Sequence, residues 1–271
     1  MMVTSGRTTT TVAPPSPPQQ QQQQQQQLTA EELQTVLDWN YSEFALPPHR
    51  APLPDETVGH IFEQLARRAP SRLALVAEDD THMTYSQVLD KANAMSRCLL
   101  MNAAKNEETG NLLPACVLVA LQRTAALPIA LLATVRSGLA YWGVDMVLQS
   151  APVVQKNMKA LNVRTMIVDS DTFALLFPDG TSPPPPELSV LMVSASGDVV
   201  YYRSSQAAVA SSAYLCPMRT MYIEFTSGST GQPKAVAVPH KACISYLRNS
   251  GAIYRWGTET RSLLYHSVSF D

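Results

Sequence analysis

Short apolar runs alternate with amphipathic stretches along most of the chain, and this rhythm limits the folds open to it. Five runs predict strands, and the second of them predicts a buried one: Leu73–Asp79, Ala115–Leu121, Arg164–Ser170, Leu188–Ser194 and Met221–Thr226. Apolar residues at helical spacing predict helices from Val58 to the residue before Pro70, from Thr84 to Ala103, and from Thr124 to Arg136, ended by Gly138. Such alternation is typical of an α/β domain whose mostly parallel sheet is flanked by helices.

The N-terminal part of the chain does not follow this rhythm. Residues 1–27 carry several prolines and nine consecutive glutamines. These residues bury too little apolar surface to offset the entropy of ordering, so we predict a disordered, low-complexity tail. Residues 28–57 predict a lead-in helix, with Thr29 and Glu32 as its capping pair, and then a proline-rich linker. The folded domain is accordingly predicted over residues 58–271.

The charge balance argues against two classes of partner. With 20 basic and 22 acidic residues the formal net charge is -2, so we expect no binding to nucleic acid or to an anionic membrane surface. The most apolar stretch, Leu112–Val135, is broken by Gln122 and Arg123 into pieces too short to span a bilayer. No membrane helix is therefore predicted.

The cysteines predict neither a disulfide framework nor a metal site. They stand far apart, with no CxxC pair and no histidines at zinc-ligand spacing: Cys98, Cys116, Cys216 and Cys243. Scattered thiols of this kind are typical of a reducing compartment, and the N-terminus lacks the apolar stretch of a secretory signal. We therefore expect a cytoplasmic location and assign no metal ligands.

A polar loop follows the last predicted strand. Residues 226–236 hold two glycines, four hydroxyl side chains, a proline and a lysine, but no carboxylate. Successive backbone N–H groups in such a loop can form a concave nest for phosphate oxygens, with the lysine as a mobile cation. The predicted phosphate-binding residues are Thr226, Ser227, Gly228, Ser229, Thr230, Gly231 and Lys234.

The order of residues separates this loop from two better-known nucleotide-binding loops. A Walker loop requires glycine before its lysine and Ser or Thr after it, whereas Pro233 and Ala235 flank Lys234 here. The GxGxxG spacing of a dinucleotide-binding turn is also missing. On composition alone, an ordinary exposed loop without a ligand is the alternative.

The sequence TSGSTGQPK, from Thr226 to Lys234, resembles the phosphate-binding motif of the adenylate-forming (AMP-binding) superfamily. That superfamily contains acyl-CoA synthetases, luciferases and the adenylation domains of nonribosomal peptide synthetases. Two residues depart from the usual pattern. Ala235 stands where the superfamily usually has glycine, and Glu224 interrupts a strand that is more often apolar.

Two further segments resemble the peptide-synthetase adenylation domains in particular. The stretch from Trp39 to Val88 is similar to their entry segment. LLATVRSGLAYWGVD, from Leu131 to Asp145, resembles their LLAVLKAGAAYVPLD, although Trp142 and Gly143 replace the usual Val-Pro. The resemblance runs from about Trp39 to the end of the sequence. It implies the N-terminal part of the adenylate-forming fold, truncated within the domain.

The resemblance also implies a reaction, in which an amino-acid carboxylate attacks the α-phosphorus of ATP in the presence of Mg²⁺. The aminoacyl-adenylate would then pass to the phosphopantetheine thiol of a carrier-protein domain. The last residues, SVSFD, resemble the start of the superfamily's FDxS motif. Asp271 is therefore the candidate partner of the substrate's ammonium group, and a solvated terminal residue is the alternative reading of it.

Other readings stay open because the superfamily's adenine, ribose and catalytic-lysine motifs have no counterpart in this sequence. No catalytic residue is assigned, and we expect the chain alone to be inactive. An acyl-CoA or aryl-acid ligase of the same superfamily would lack the ammonium-pairing aspartate. A non-catalytic truncated product or scaffold would fit the abrupt end of the sequence.

Overall fold

The computed structural model describes residues 56–77, 79–103, 116–178, 183–204, 220–226, 233–264 and 266–269. The predicted disordered tail, the lead-in helix and nearly all of the proline-rich linker lie outside these residues. No helix within the described part of the chain is both long and apolar enough to cross a membrane.

The described residues form six helices. Their bounds are α1 Val58–Arg68, α2 Tyr85–Ala103, α3 Ala126–Arg136, α4 Ala151–Ala160, α5 Ser170–Leu176 and α6 His240–Ile253. The first three confirm the predicted helices. Thr57 caps α1, because its Oγ1 accepts a hydrogen bond from the His60 N–H at 3.2 Å. Gly138 follows α3 with a φ of +75°, which glycine adopts at little steric cost.

Nine strands are described, and all five predicted strands are among them with bounds shifted by a few residues. The strands are β1 Leu73–Val76, β2 His82–Thr84, β3 Cys116–Ala120, β4 Ala140–Val144, β5 Thr165–Val168, β6 Ser189–Val193, β7 Val199–Arg203, β8 Thr220–Thr226 and β9 Lys234–Pro239. β1 and β2 form a small antiparallel pair of their own. The others form one sheet in the order β7-β6-β5-β3-β4-β8-β9.

The larger sheet is mostly parallel, as the alternation of strands and helices predicts. β6, β5, β3, β4 and β8 pair in parallel, and only β7 and β9 add antiparallel edges. The central strand β3 is buried along its whole length. Its side chains alternate between two apolar cores, so Val117 and Val119 pack with α2 and α3 while Leu118 and Ala120 pack with α4 and α5. Helices therefore cover both faces.

Four strands and three helices escape the sequence prediction, namely β2, β4, β7, β9, α4, α5 and α6. β2 has three residues, too few to show an alternating pattern. β4 contains Gly143, which weakens the strand signal. α4 carries Pro152 in its first turn, where proline is well tolerated but easily read as a loop residue.

Candidate functional site

The carboxyl ends of the parallel strands lie together along one edge of the sheet, across the strands. The chain segments that follow neighbouring strands turn from there to opposite faces of the sheet. β3 is followed by α3 on one face, whereas β4 is followed by α4 on the other. Where neighbouring connections part in this way, an open α/β sheet has a crevice at the carboxyl ends of its strands. We call this part of the molecule the carboxyl edge.

The predicted phosphate loop begins at the carboxyl edge. β8 ends at Thr226, and the chain returns antiparallel as β9 from Lys234, with Thr226 and Lys234 as cross-strand partners. The Thr226 hydroxyl donates to the Lys234 carbonyl oxygen at 3.5 Å. Both residues are exposed. Two of the predicted phosphate-binding residues are thus brought together at the base of the loop.

The remainder of the predicted loop is not described. Ser227, Gly228, Ser229, Thr230 and Gly231 lie outside the described residues, so their assignment stays a prediction. The polar loop does follow a strand directly, as its sequence indicates, but it connects to a second strand and not to a helix.

Both departures from the superfamily motif fall in strands. Ala235 pairs with Phe225 inside the β8–β9 ladder and so lies outside the phosphate loop. Replacing glycine by alanine at this position therefore does not restrict the backbone of the loop itself. Glu224 is half-buried and pairs with Val236. Neither residue displaces Lys234 from the loop base.

Asp145 follows β4 directly and forms a second polar centre at the carboxyl edge. Its Oδ2 accepts a hydrogen bond from Arg123 at 3.2 Å, and its Oδ1 accepts one from the Val147 N–H at 3.0 Å. Burial raises the pKa of this carboxyl group, but the hydrogen bonds from Val147, Ser267 and Arg123 outweigh it and hold the pKa below its usual value. Asp145 is therefore a carboxylate at neutral pH.

The segment just before the candidate Asp271 is attached to this centre. The Asp145 N–H donates to Ser269 Oγ at 2.8 Å, and the Ser269 N–H donates to Ser267 Oγ at 3.2 Å. Both serines are 7% exposed. Phe270 and Asp271 lie outside the described residues, so the place of Asp271 is not shown.

Residues 267–269, which we call the serine segment, are bonded to the residue that follows β4, and β4 lies beside β8. β4 and β8 pair in register at Trp142 and Ile223, and three residues further along each strand the chain reaches Asp145 and Thr226. The Trp142 ring meets the Phe225 ring edge-on, with centroids 5.3 Å apart. The carboxyl ends of β4 and β8 therefore bring the two polar centres to neighbouring strands.

Sequence reasoning missed Asp145, Ser267 and Ser269 as parts of this edge. Asp145 could have been predicted as a site residue, because it is a charged residue directly after an apolar stretch. Its partners could not, because 124 residues separate Asp145 from Ser269. Only the sheet brings them together.

Two acidic residues at the same edge have structural partners. Asp169 Oδ1 accepts from the Thr172 N–H at 2.7 Å and caps α5, while its Oδ2 accepts from the Gln122 N–H at 2.9 Å. Gln122 Nε2 donates to Asp171 Oδ2 at 2.9 Å. No group of three or more His, Cys, Asp or Glu side chains among the described residues could hold a metal ion.

A cavity of about 420 Å³ lies elsewhere on the sheet. Its lining includes Arg164 and Leu188, which directly precede β5 and β6. It therefore opens at the amino ends of these strands, at the opposite edge from the phosphate loop, and is not part of the candidate site.

Comparisons with known proteins agree with this geometry. The family of AMP-binding enzymes matches residues 62–271. Malpibaldin synthetase of Mortierella alpina is 30% identical over 227 residues, which is 83% of this chain but 4% of that protein. Surfactin synthase subunit 2 of Bacillus subtilis (strain 168) is 27% identical over 241 residues, 89% of this chain and 6% of that protein. The chain thus spans a small share of the curated relatives it matches.

Solved structures share the fold. The nonribosomal peptide synthetase FmoA3, bound to α-methyl-L-serine-AMP, has a TM-score of 0.64 at 20% identity, over 87% of this chain and 23% of that one. The anthranilate CoA ligase AuaEII, with anthranoyl-AMP, has a TM-score of 0.53 at 20% identity, over 70% of this chain and 36% of that one. With the family match covering most of its length, the chain belongs to the AMP-binding enzymes, and it has the N-terminal portion of the fold found in peptide-synthetase adenylation domains.

Proposed function

We propose that this chain supplies the N-terminal portion of an adenylation domain that activates an amino acid with ATP. The amino-acid carboxylate attacks the α-phosphorus of ATP, which gives an aminoacyl-adenylate and pyrophosphate. The activated acid then passes to the phosphopantetheine thiol of a carrier-protein domain. The observation that carries the proposal is the pairing at the carboxyl edge of Thr226 and Lys234, the first and last residues of the TSGSTGQPK sequence.

The exposed base of the loop suits a polyphosphate. Lys234 supplies an ammonium group that is free to move because its side chain is solvent-exposed. Thr226 supplies a hydroxyl on the opposite strand. In the proposed site the loop residues between them add backbone N–H donors, and positive charge beside the phosphates stabilises the negative charge that develops during transfer. Mg²⁺, when bound, supplies further charge neutralisation at the phosphates.

The class of acid depends on Asp271 in this proposal. A carboxylate beside the substrate's ammonium group selects an amino acid, because either charge would be costly to bury alone. An acyl-CoA or aryl-acid ligase has no such need, and the anthranilate CoA ligase shares the same fold. The fold therefore does not choose between these substrates, and the proposal for amino acids rests on the SVSFD sequence.

The extent of the proposed domain follows the sequence. Residues 58–271 form part of an AMP-binding domain, which the match over residues 62–271 supports. The tail 1–27 is proposed to be disordered and dispensable for nucleotide binding. Residues 28–57 are the proposed lead-in.

Nucleotide binding by the 271-residue chain tests the proposal. A hydrogen bond to a charged group contributes about 1.5–3 kcal/mol, so Lys234→Ala should raise the Kd for ATP about tenfold to a hundredfold. The matched control is Lys241→Ala, which removes an exposed lysine from the first turn of α6. Isothermal titration calorimetry measures both. Equal Kd values for the two variants would overturn the assignment of Lys234 to phosphate.

A further inference from the structure

The serine segment, residues 267–269, packs against the end of β4. Its two serines are buried although the residues before it, up to Leu264, are exposed. Each serine hydroxyl is hydrogen-bonded, and the bonds lead to one residue. That residue is Asp145.

Asp145 binds the segment through both its backbone and its side chain. Its N–H donates to Ser269 Oγ at 2.8 Å. Ser267 donates its hydroxyl to the Asp145 carboxylate and accepts from the Ser269 N–H. The carboxylate is fixed in turn by Arg123 and the Val147 N–H. Asp145 and the serine segment are thus joined by a closed ring of hydrogen bonds.

Gly143 allows the close approach that these bonds need. A Cβ atom added at Gly143 would lie 2.7 Å from the Val268 carbonyl oxygen and closer still to Val268 Cγ2. Contacts under about 3 Å to a backbone oxygen force one of the two chains to move. Any side chain at residue 143 would therefore push the serine segment away from β4.

We propose that Asp145 is a positioning residue: together with Gly143 it seats the serine segment on the end of β4 and so limits how far from that end Asp271 can lie. Two peptide units span at most about 7 Å, so the seat of Ser269 limits the positions open to Asp271. This inference rests on the proposed function only for the role of Asp271 as the partner of the substrate's ammonium group. The seat itself is independent of that role.

Hydrogen exchange in the 271-residue chain tests the seat. Asp145→Ala leaves Ser267 without its acceptor, so the Ser269 amide should exchange about tenfold faster. Gly143→Ala should have the same effect through the steric contact. The matched control is Asp169→Ala, which removes another carboxylate from the same edge and uncaps α5 without touching the serine segment. Faster exchange at Ser269 in the control as well, or unchanged exchange in both test variants, overturns the seat.

Ligand selectivity tests the consequence for Asp271. The probes are aminoacyl-sulfamoyl adenosines carrying each proteinogenic amino acid, each compared with its des-amino counterpart. Asp145→Ala should lower the preference for the amino form about tenfold while the Kd for ATP stays within about twofold. A general loss of structure would weaken all three ligands together and would overturn the positioning role. Binding of des-amino probes only would contradict the proposed amino-acid substrate, while the exchange result would still decide the seat.

Discussion

At the scale of single residues, His240 shows how one buried side chain connects distant elements. It is the first residue of α6 and is 2% exposed. Its Nδ1 accepts a hydrogen bond at 3.4 Å from the N–H of Val58, the first residue of α1, which has no partner inside its own helix. Burial lowers the pKa of His240 to about 4. The ring is therefore neutral at physiological pH and acts as an acceptor.

This arrangement predicts a loss of stability in mild acid. The folded-state pKa of about 4 lies below the ordinary value of 6.5, so the unfolded chain takes up a proton first as the pH falls. The contribution of neutral His240 to the free energy of unfolding should be fully present above about pH 6.5. The free energy of unfolding should fall by about 3 kcal/mol between there and pH 4. Urea unfolding at a series of pH values measures the drop.

His240→Gln is the test variant for this pH dependence, because it removes the titrating group. It should be less stable at neutral pH but should lose most of the slope between about pH 6.5 and pH 4. His60→Gln, at an exposed position of α1, is the control and should keep the slope. An unchanged slope in His240→Gln would show that other groups cause the acid sensitivity.

At the scale of elements, β9 and α6 both carry large apolar side chains that are exposed. Val236 on β9 is 43% exposed and Tyr246 on α6 is 66% exposed. Ile253, Tyr254 and Trp256 continue this exposed apolar surface. Among the described residues β9 is the last strand of the larger sheet, and an edge strand with apolar side chains is a template for association.

We therefore expect the chain to associate as its concentration rises. Val236→Lys places a charge on the exposed strand and should shift the association to higher concentration, with little effect on the melting temperature. Leu175→Lys on α5, also an exposed apolar position, is the matched control away from this surface. Sedimentation velocity from micromolar concentration to about 1 mM follows the change. A monomer throughout that range would contradict the prediction.

The same elements explain how far the sequence can be read. β3, β5 and β6 are short apolar runs buried on both faces. Such runs can be predicted as strands of a parallel sheet from the sequence alone. β9 carries no such signal, because its residues are mostly exposed and its pairing with β8 depends on the loop between them. Thr226 and Lys234 could be predicted to belong to one site because they share one motif. Asp145 and Ser269 could not, since their contact depends on the completed sheet.

At the scale of the whole molecule, the sheet gathers two polar centres at one edge. In the proposed function the loop base at Thr226 and Lys234 binds a phosphate, and Asp145 positions the segment that leads to Asp271, the proposed partner of the amino group. The central claim is therefore that the parent domain recognises an amino acid through Asp271.

The most direct measurement of this claim is pyrophosphate exchange into ATP by a polypeptide that carries the complete adenylation domain. If the ion pair is buried, Asp271→Ala should cost about 3–5 kcal/mol. That cost corresponds to a loss of several hundredfold or more in kcat/KM for the amino acid. The des-amino analogue should change little. Equal effects on the amino acid and on its des-amino analogue would contradict amino-acid activation and would favour an acyl or aryl acid as the substrate.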